Sequence, residues 1–403
     1  MAAVFSATPR FASSLTYESD PLMAAETLSA GVSRDLDAAA DLAILFLSPH
    51  YNDGAGRLVS SIRDSLSPRL LVGCTGEGVI GTGKEIETGA AAALWVAHLP
   101  HTSLVPLRLT FSGVHDRFTM TGWPDAIHAA STPPPALILF ADPFSTPTQE
   151  LLPLLEDRYP GAIAIGGLAG GGREPGENRL ILDDDIHDAG LVGVALSGGV
   201  SVKTVVSQGC RPIGERYIIT KAEENVIHEL GGMPALHRLQ NVYQSLRSEE
   251  RELAHRALHI GIAMDEHRER FDRGDFLVRN LIGADQETGA VVIGDVAQEG
   301  QTVQFHVRDG RSAHEDLKDL LAASRTVGSP PARGALLFSC CGRGKGLFGR
   351  ADHDVSVIED QMGPIPLAGF FAQGEIGPIG GRSFLHGYTA SIALFGEDEP
   401  ERS

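Results

Sequence analysis

Cysteine is scarce: Cys74, Cys210, Cys340 and Cys341 are the four in 403 residues. So few and so scattered, they exclude a disulfide framework. Cys340 and Cys341 are adjacent and could pair only in a strained geometry. A reducing, cytoplasmic setting is the expectation. Long apolar runs are absent as well, and none approaches the ~20 uninterrupted residues a membrane helix needs. No membrane partner is expected. Residues 1–29 lack a charged segment followed by a continuous apolar one, so they read as a mobile leader and not as a signal peptide. Basic runs are also missing. Against 33 Lys and Arg stand 52 Asp and Glu, a net charge of −19. Nucleic-acid binding needs cations set on phosphates, so no nucleic-acid partner is expected. There is no C-x-x-C or H-E-x-x-H spacing, and neither a metal nor any other cofactor is expected. The Gly-Lys-Ser/Thr ending of a phosphate-binding loop is absent too.

What is present is self-similarity. "AILFLSPHYNDGAGRLVSSIRDSLSPRLLVGCTGEG" begins at Ala43, "LILFADPFSTPTQELLPLLEDRYPGAIAIGGLAGGG" at Leu137 and "ALLFSCCGRGKGLFGRADHDVSVIEDQMGPIPLAGFFAQGE" at Ala335. Each opens on a short apolar run holding a phenylalanine: Phe46, Phe140 or Phe338. Each continues through a loop and an amphipathic stretch to a second apolar run and a glycine-rich turn. Short apolar runs between turn residues suit buried strands. The middle stretches suit helices; in the second copy Thr146 is placed to cap, with Pro147 at the first helical position. Between the second and third copies the texture changes. Val303, Phe305 and Val307 alternate with polar residues, which predicts a half-buried strand with His306 facing outward. Ser312 and Glu315 predict a capping box for the helix that follows.

The fold class is therefore mixed: α/β with α+β character, two domains built from repeated β-α-β-β units, mixed sheets and a cleft of glycine loops. Gly231-Gly232 marks the expected boundary, giving domains at 30–231 and 232–396 and an acidic tail at 397–403.

Parallel second strands would gather their glycine turns at one sheet edge, where open α/β sheets bind ligands. Two of these turns carry a Gly-Glu pair, Gly76-Glu77 and Gly374-Glu375. A loop carboxylate repels phosphate and suits an ammonium. Arg343 and Arg211 suit a carboxylate, which they can grip with two parallel hydrogen bonds. Both signs in one cleft would favour a zwitterion such as an amino acid. The plain alternative is a turn with a solvated acid. Cys340 is a candidate nucleophile with His353 or His386 as base, against the reading of a packed, inert strand-end cysteine.

These stretches also carry a family resemblance. "LLVGCTGEGVIG", "AIAIGGLAGGG", "GLVGVALSGG", "VSQGCRPIGERYIIT", "ALHIGIAMDE", "ALLFSCCGRG", "GLFG" and "IPLAGFFAQGEIGP" run in order from about Ala40 to Phe395, and together the chain resembles FIST proteins. The resemblance implies an N-terminal and a C-terminal FIST domain forming a sensory module for small ligands such as amino acids, with a signalling protein as partner. It points to Cys74, Gly76, Glu77, Cys210, Arg211, Cys340, Gly342, Arg343, Gly344, Gly374 and Glu375 as ligand-binding residues. The rival readings are a cysteine-dependent enzyme using Cys340 and a non-catalytic interaction scaffold.

Overall fold

The three phenylalanine-bearing runs become the central strands of three sheets. The computed structural model describes residues 8–114, 117–127, 133–266, 271, 273–325 and 330–397; most of the acidic tail lies outside them. The first repeat runs β1 (Arg10–Thr16), α1 (Pro21–Leu36), β2 (Leu42–Leu47), α2 (Ala55–Leu66), β3 (Leu70–Thr75), the hairpin β4 (Val79–Gly81) and β5 (Lys84–Ile86), then β6 (Ala92–His98). Here β1 and α1 occupy the stretch expected as a leader. Asp20 caps α1, accepting from the Leu22 and Met23 N–H groups, and Ala24, Ala25, Leu28 and Val32 bury its inner face. Small residues at the start of the chain are packing residues here.

The second repeat runs β7 (Ser103–Val114), β8 (Arg117–Thr121), β9 (Ala136–Ala141), α3 (Thr148–Arg158), β10 (Ile163–Leu168), the hairpin β11 (Leu180–Leu182) and β12 (Asp185–His187), then β13 (Leu191–Ser197). β2 pairs parallel with β3, and β9 with β10. Both β2 and β9 are buried along their whole length, which is why their sequences are continuous apolar runs. α3 starts one residue later than expected: Pro147 is its N-cap residue, and Thr146 donates its hydroxyl to the Gly190 carbonyl.

The chain forms two compact units, Met1–Val206 with Leu317–Ser403, and Ser207–Asp316. After β14 (Val200–Ser207) the second unit begins. It holds β15 (Cys210–Glu223), β16 (Val226–Leu230), β17 (Met233–Pro234), α4 (Ala235–Ser245), α5 (Ser248–Arg256), β18 (Leu258–Ala263), β19 (Phe276–Ala284), β20 (Val291–Ile293) and β21 (Thr302–Arg308). The strand order is β15-β21-β18-β19-β20-β16-β17, and β15 also pairs with β16, which closes the sheet into a barrel. Val303, Phe305 and Val307 join its apolar core as their alternation predicts. His306 is buried, not outward in solvent. Gly231 and Gly232, read as a domain boundary, lie inside this unit. They make the turn between β16 and β17 with φ of 56° and 71°, a conformation glycine adopts without strain.

The third repeat runs α6 (Gly310–Ser324), β22 (Gly334–Cys340), α7 (Lys345–Phe348), α8 (His353–Met362), β23 (Leu367–Ala372), the hairpin β24 (Glu375–Ile379) and β25 (Arg382–His386), and β26 (Ala390–Glu397). Asp309 receives the Ser312 N–H at the start of α6, in place of the expected Ser312–Glu315 box.

The three sheets of the first unit repeat one order: β1-β6-β2-β3-β11-β12, then β8-β7-β13-β9-β10-β24-β25, then β14-β26-β22-β23-β4-β5. Each repeat gives its hairpin to a neighbour's sheet. The first hairpin adds to the third sheet, the second to the first, and the third to the second. The exchange closes a ring of three. At its centre Phe46, Phe140 and Phe338 meet, with ring centroids 5.4, 6.3 and 6.0 Å apart. Phe370 packs against all three.

Candidate functional site

Three loops leave the carboxyl ends of β3, β10 and β23, and they interlock. Glu77 donates its N–H to the Phe371 carbonyl (3.0 Å), Gln373 to Leu168 (3.2 Å) and Gly170 to Thr75 (3.0 Å). Each donor stands at the same offset from a strand glycine: Gly73, Gly369 or Gly166. The bonds form a cycle, each loop gripping the next strand end. Glycine is required where these backbones meet. A Cβ on Gly76 would lie 2.6 Å from the Phe370 Cβ, and one on Gly170 would lie 2.9 Å from the Glu77 nitrogen. Gln373 adds a side-chain bond to the Gly172 carbonyl at 3.1 Å.

The two Gly-Glu pairs are not counterparts. Counting from the strand glycines, Glu77 corresponds to Gln373, and Glu375 corresponds to Val79. Glu77 is exposed at the ring. Glu375 is the first residue of β24 and fully buried. Its Oε2 accepts from the Thr389 N–H at 2.9 Å and the Thr389 hydroxyl at 2.8 Å. Gly374 turns the chain into β24, and its carbonyl accepts the Leu168 N–H at 2.8 Å. So Glu375 is held inside a sheet and does not stand in a flexible loop.

Arg343 is also interior. Its guanidinium grips Asp354 at the start of α8 with two bonds, 2.7 Å from Nε and 2.9 Å from Nη2. Asp354 further accepts from the Ser339 hydroxyl at 3.1 Å, and His353 Nδ1 lies 2.9 Å from it. Phe348 stacks on the His353 ring and lies beneath the Arg343 guanidinium. Burial would raise the Asp354 carboxyl; the Arg343 charge, with the bonds from Arg343 and His353, outweighs it and holds it well below the ordinary range. The same cluster includes Glu85 of β5, whose Oε1 accepts the Val355 N–H at 2.9 Å. Its Oε2 makes no hydrogen bond among the described residues. Burial first, then the Asp354 charge, push Glu85 up to about 8.

A raised carboxyl favours the protonated fold. Its contribution is complete below 4.5 and is lost as pH climbs to about 8. Unfolding free energy should therefore fall across that window. Glu85→Gln, which cannot ionise, should flatten the fall. Equal slopes in urea titrations of the two proteins would refute it.

Comparison with known proteins follows the same residues. Positions 41–233 match the family model of the FIST N domain, and 235–378 that of the FIST C domain. The chain belongs to the FIST family. FIST domains are small-ligand sensory domains in signalling. An uncharacterized protein of Mycobacterium tuberculosis is 45% identical over 356 residues, 88% of this chain and 91% of its own length. An uncharacterized protein of Mycobacterium bovis is 42% identical over 374 residues, 92% and 95% of the two lengths.

The remaining FIST motif residues divide between the units. In the first unit Cys340 ends β22, donates its N–H to the Thr389 carbonyl, and accepts the N–H of exposed Gly342 at 3.4 Å. Cys341 is an exposed residue, and its sulfur donates to the Ala372 carbonyl at 3.0 Å. Burial, then Cys340, Glu77 and Glu375, push this thiol up to about 12, so it is held as a thiol. Cys74 lies in the central apolar core, and burial pushes it well above the ordinary value. The proposed bases are both buried: His353 against Asp354, and His386 with Nε2 at 2.9 Å from the Gly377 carbonyl. Gly344 caps α7 at φ 71°, packed on the Glu87 carboxylate, which accepts the Lys345 N–H. In the second unit Cys210 is buried opposite Arg308. Its neighbour Arg211 is paired with Glu250 and Asp309, at 3.2 Å each.

Sequence reasoning thus missed Gln373, Asp354 and Glu85. An acid in the first turn of a predicted helix was the available signal for Asp354. Among the described residues no helix is long and apolar enough to cross a membrane. No group of three or more His, Cys, Asp or Glu there is placed to hold a metal.

Proposed function

We propose that this protein senses an amino acid or similar small metabolite at the loop ring of the first unit and passes that signal to a protein partner in the cytoplasm. The observation that carries the reading is the cyclic closure of three glycine loops at strand ends, with Glu77 exposed among them. Strand ends are where α/β sheets bind, and an exposed carboxylate suits the ammonium of an amino acid. Arg343 and Arg211 supply no free fork for its carboxylate, since each already grips acids. The reading assigns 30–231 and 232–396 to the two FIST domains by descent. It favours a binding protein over a cysteine-dependent enzyme using Cys340 because the two candidate bases are buried and engaged, His353 with Asp354 and His386 with the Gly377 carbonyl.

The test is thermal unfolding against a panel of amino acids and related metabolites. A binder at 100 times its dissociation constant should add about 2.7 kcal/mol, and Glu77→Gln should abolish the shift. No shift from any compound, with no small molecule released from the denatured protein in mass spectrometry, would leave the scaffold reading in its place.

A further inference from the structure

The second unit carries a groove of about 660 Å³ between α4, α5 and the barrel strands β18 and β19. That size falls in the range of about 300–1,000 Å³ typical of small-molecule sites. Its floor is apolar: Leu239, Leu258 and Leu281 lie on it and pack against the barrel core. Its rim includes Tyr243 from α4, and His255 and Arg256 from the last turn of α5.

The charge of this lining runs against the rest of the chain. Acids outnumber bases 52 to 33 overall, yet the groove is lined by no Asp or Glu. Arg256 is exposed, and its guanidinium has no ion pair or hydrogen bond among the described residues. Other arginines of this unit are engaged: Arg211 with Glu250 and Asp309, Arg279 with Asp295, and Arg251 with the Gln244 carbonyl. An unengaged guanidinium beside an apolar floor is arranged for a molecule with one anionic end and one greasy end. A carboxylate matches its fork with two parallel hydrogen bonds. A cation would meet Arg256 with no acid to hold it, and a neutral apolar molecule would leave the guanidinium unused.

We propose that this groove binds an apolar monocarboxylate, its hydrocarbon tail on the leucine floor and its carboxylate on Arg256. This goes beyond the amino-acid reading: the groove residues all lie in the second unit, and the loop ring lies in the first.

The probe is octanoate, titrated calorimetrically into the full chain well below its aggregation concentration, beside octanol and octylammonium. Arg256→Gln and Gln240→Trp are the variants. Both positions are exposed, so neither disturbs the core; the second fills the groove from α4. Octanoate should bind saturably and more tightly than octanol, and octylammonium should not bind. Arg256→Gln should weaken octanoate at least about tenfold, as loss of a charged hydrogen-bonded partner does. Gln240→Trp should weaken octanoate as well. No saturable binding, equal affinity in Arg256→Gln, or equal binding of octylammonium would each overturn the proposal. Amino-acid shifts that depend on Glu77 should survive in both variants, so the two readings fail separately.

Discussion

Asp354→Ala should cost about 3–5 kcal/mol of unfolding free energy, the usual effect of removing one partner from a buried ion pair. Against the ~5–15 kcal/mol by which a typical protein is stable, about a fifth or more of the total disappears. The Arg343 side chain is 0% exposed and that of Asp354 is 1% exposed. Without the carboxylate, an arginine that cannot lose its proton is left in the interior with two of its bonds cut. Ser339 and His353 lose their acceptor too. Arg343→Ala should be similarly severe, since it strands the carboxylate beside Glu85. The double replacement Arg343→Met with Asp354→Leu should recover most of the loss, because hydrophobic residues of similar volume can replace such pairs at little cost. Urea unfolding of the three variants decides it. A single-variant loss within about 1 kcal/mol, the range of exposed pairs, would show that water reaches the site. A double variant as poor as the singles would show that packing around Phe348, and not charge, sets the penalty. The expected result also separates Arg343 from ligand recognition, since the buried Asp354 carboxylate accounts for its guanidinium.

Much of this architecture was legible in the residues. The strands at Phe46, Phe140 and Phe338 could be read because fully buried parallel strands must be apolar on both faces. The barrel strand at Val303–Val307 could be read because its apolar residues alternate, but the burial of His306 on its other face could not. What could not be read was who pairs with whom. Hairpin β4–β5 lies next to β3 in the chain but pairs with β23, and only closure of the ring of three specifies that. The same gap misled the comparison of carboxylates. Gly76-Glu77 and Gly374-Glu375 look alike as dipeptides, yet the structural register is set by Gly73 and Gly369, which shifts one pair against the other by two positions. In a strand that shift preserves the face, but it moves Glu375 from the loop into β24. Arg343 was read as free because its partner, Asp354, lies beyond a turn whose path the sequence does not state. The FIST N and FIST C matches meet just after Gly231-Gly232, whereas the compact units divide elsewhere, because these glycines make a hairpin turn inside the barrel.

The strand glycines give the sharpest test of the ring. Gly73 lies opposite Leu45, Gly166 opposite Leu139 and Gly369 opposite Leu337, each across a parallel pair. A Cβ at these positions would sit 2.0, 1.9 and 1.8 Å from the facing carbonyl oxygen. Those oxygens belong to the backbone of buried central strands, so no side chain can swing aside. Relief requires moving a strand in a close-packed interior. Gly369→Ala should therefore cost more than the ~1–3 kcal/mol of ordinary overpacking. Gly166→Ala and Gly73→Ala should cost about as much, because the three sites are repeats of one geometry. Gly56→Ala is the contrast. It lies in α2 with nothing within 4 Å of its would-be Cβ, and should stabilise by roughly 0.5–1 kcal/mol. Denaturant midpoints of the four proteins distinguish the cases. Three similar collapses beside one small gain would mean that the interlocked strand ends act as a single clamp. One tolerated alanine among the three would mean that its sheet can slide independently. A loop ring built on a sliding sheet would then hold Glu77, Gly170 and Gln373 in no fixed relation, and the ligand site would have to be sought elsewhere.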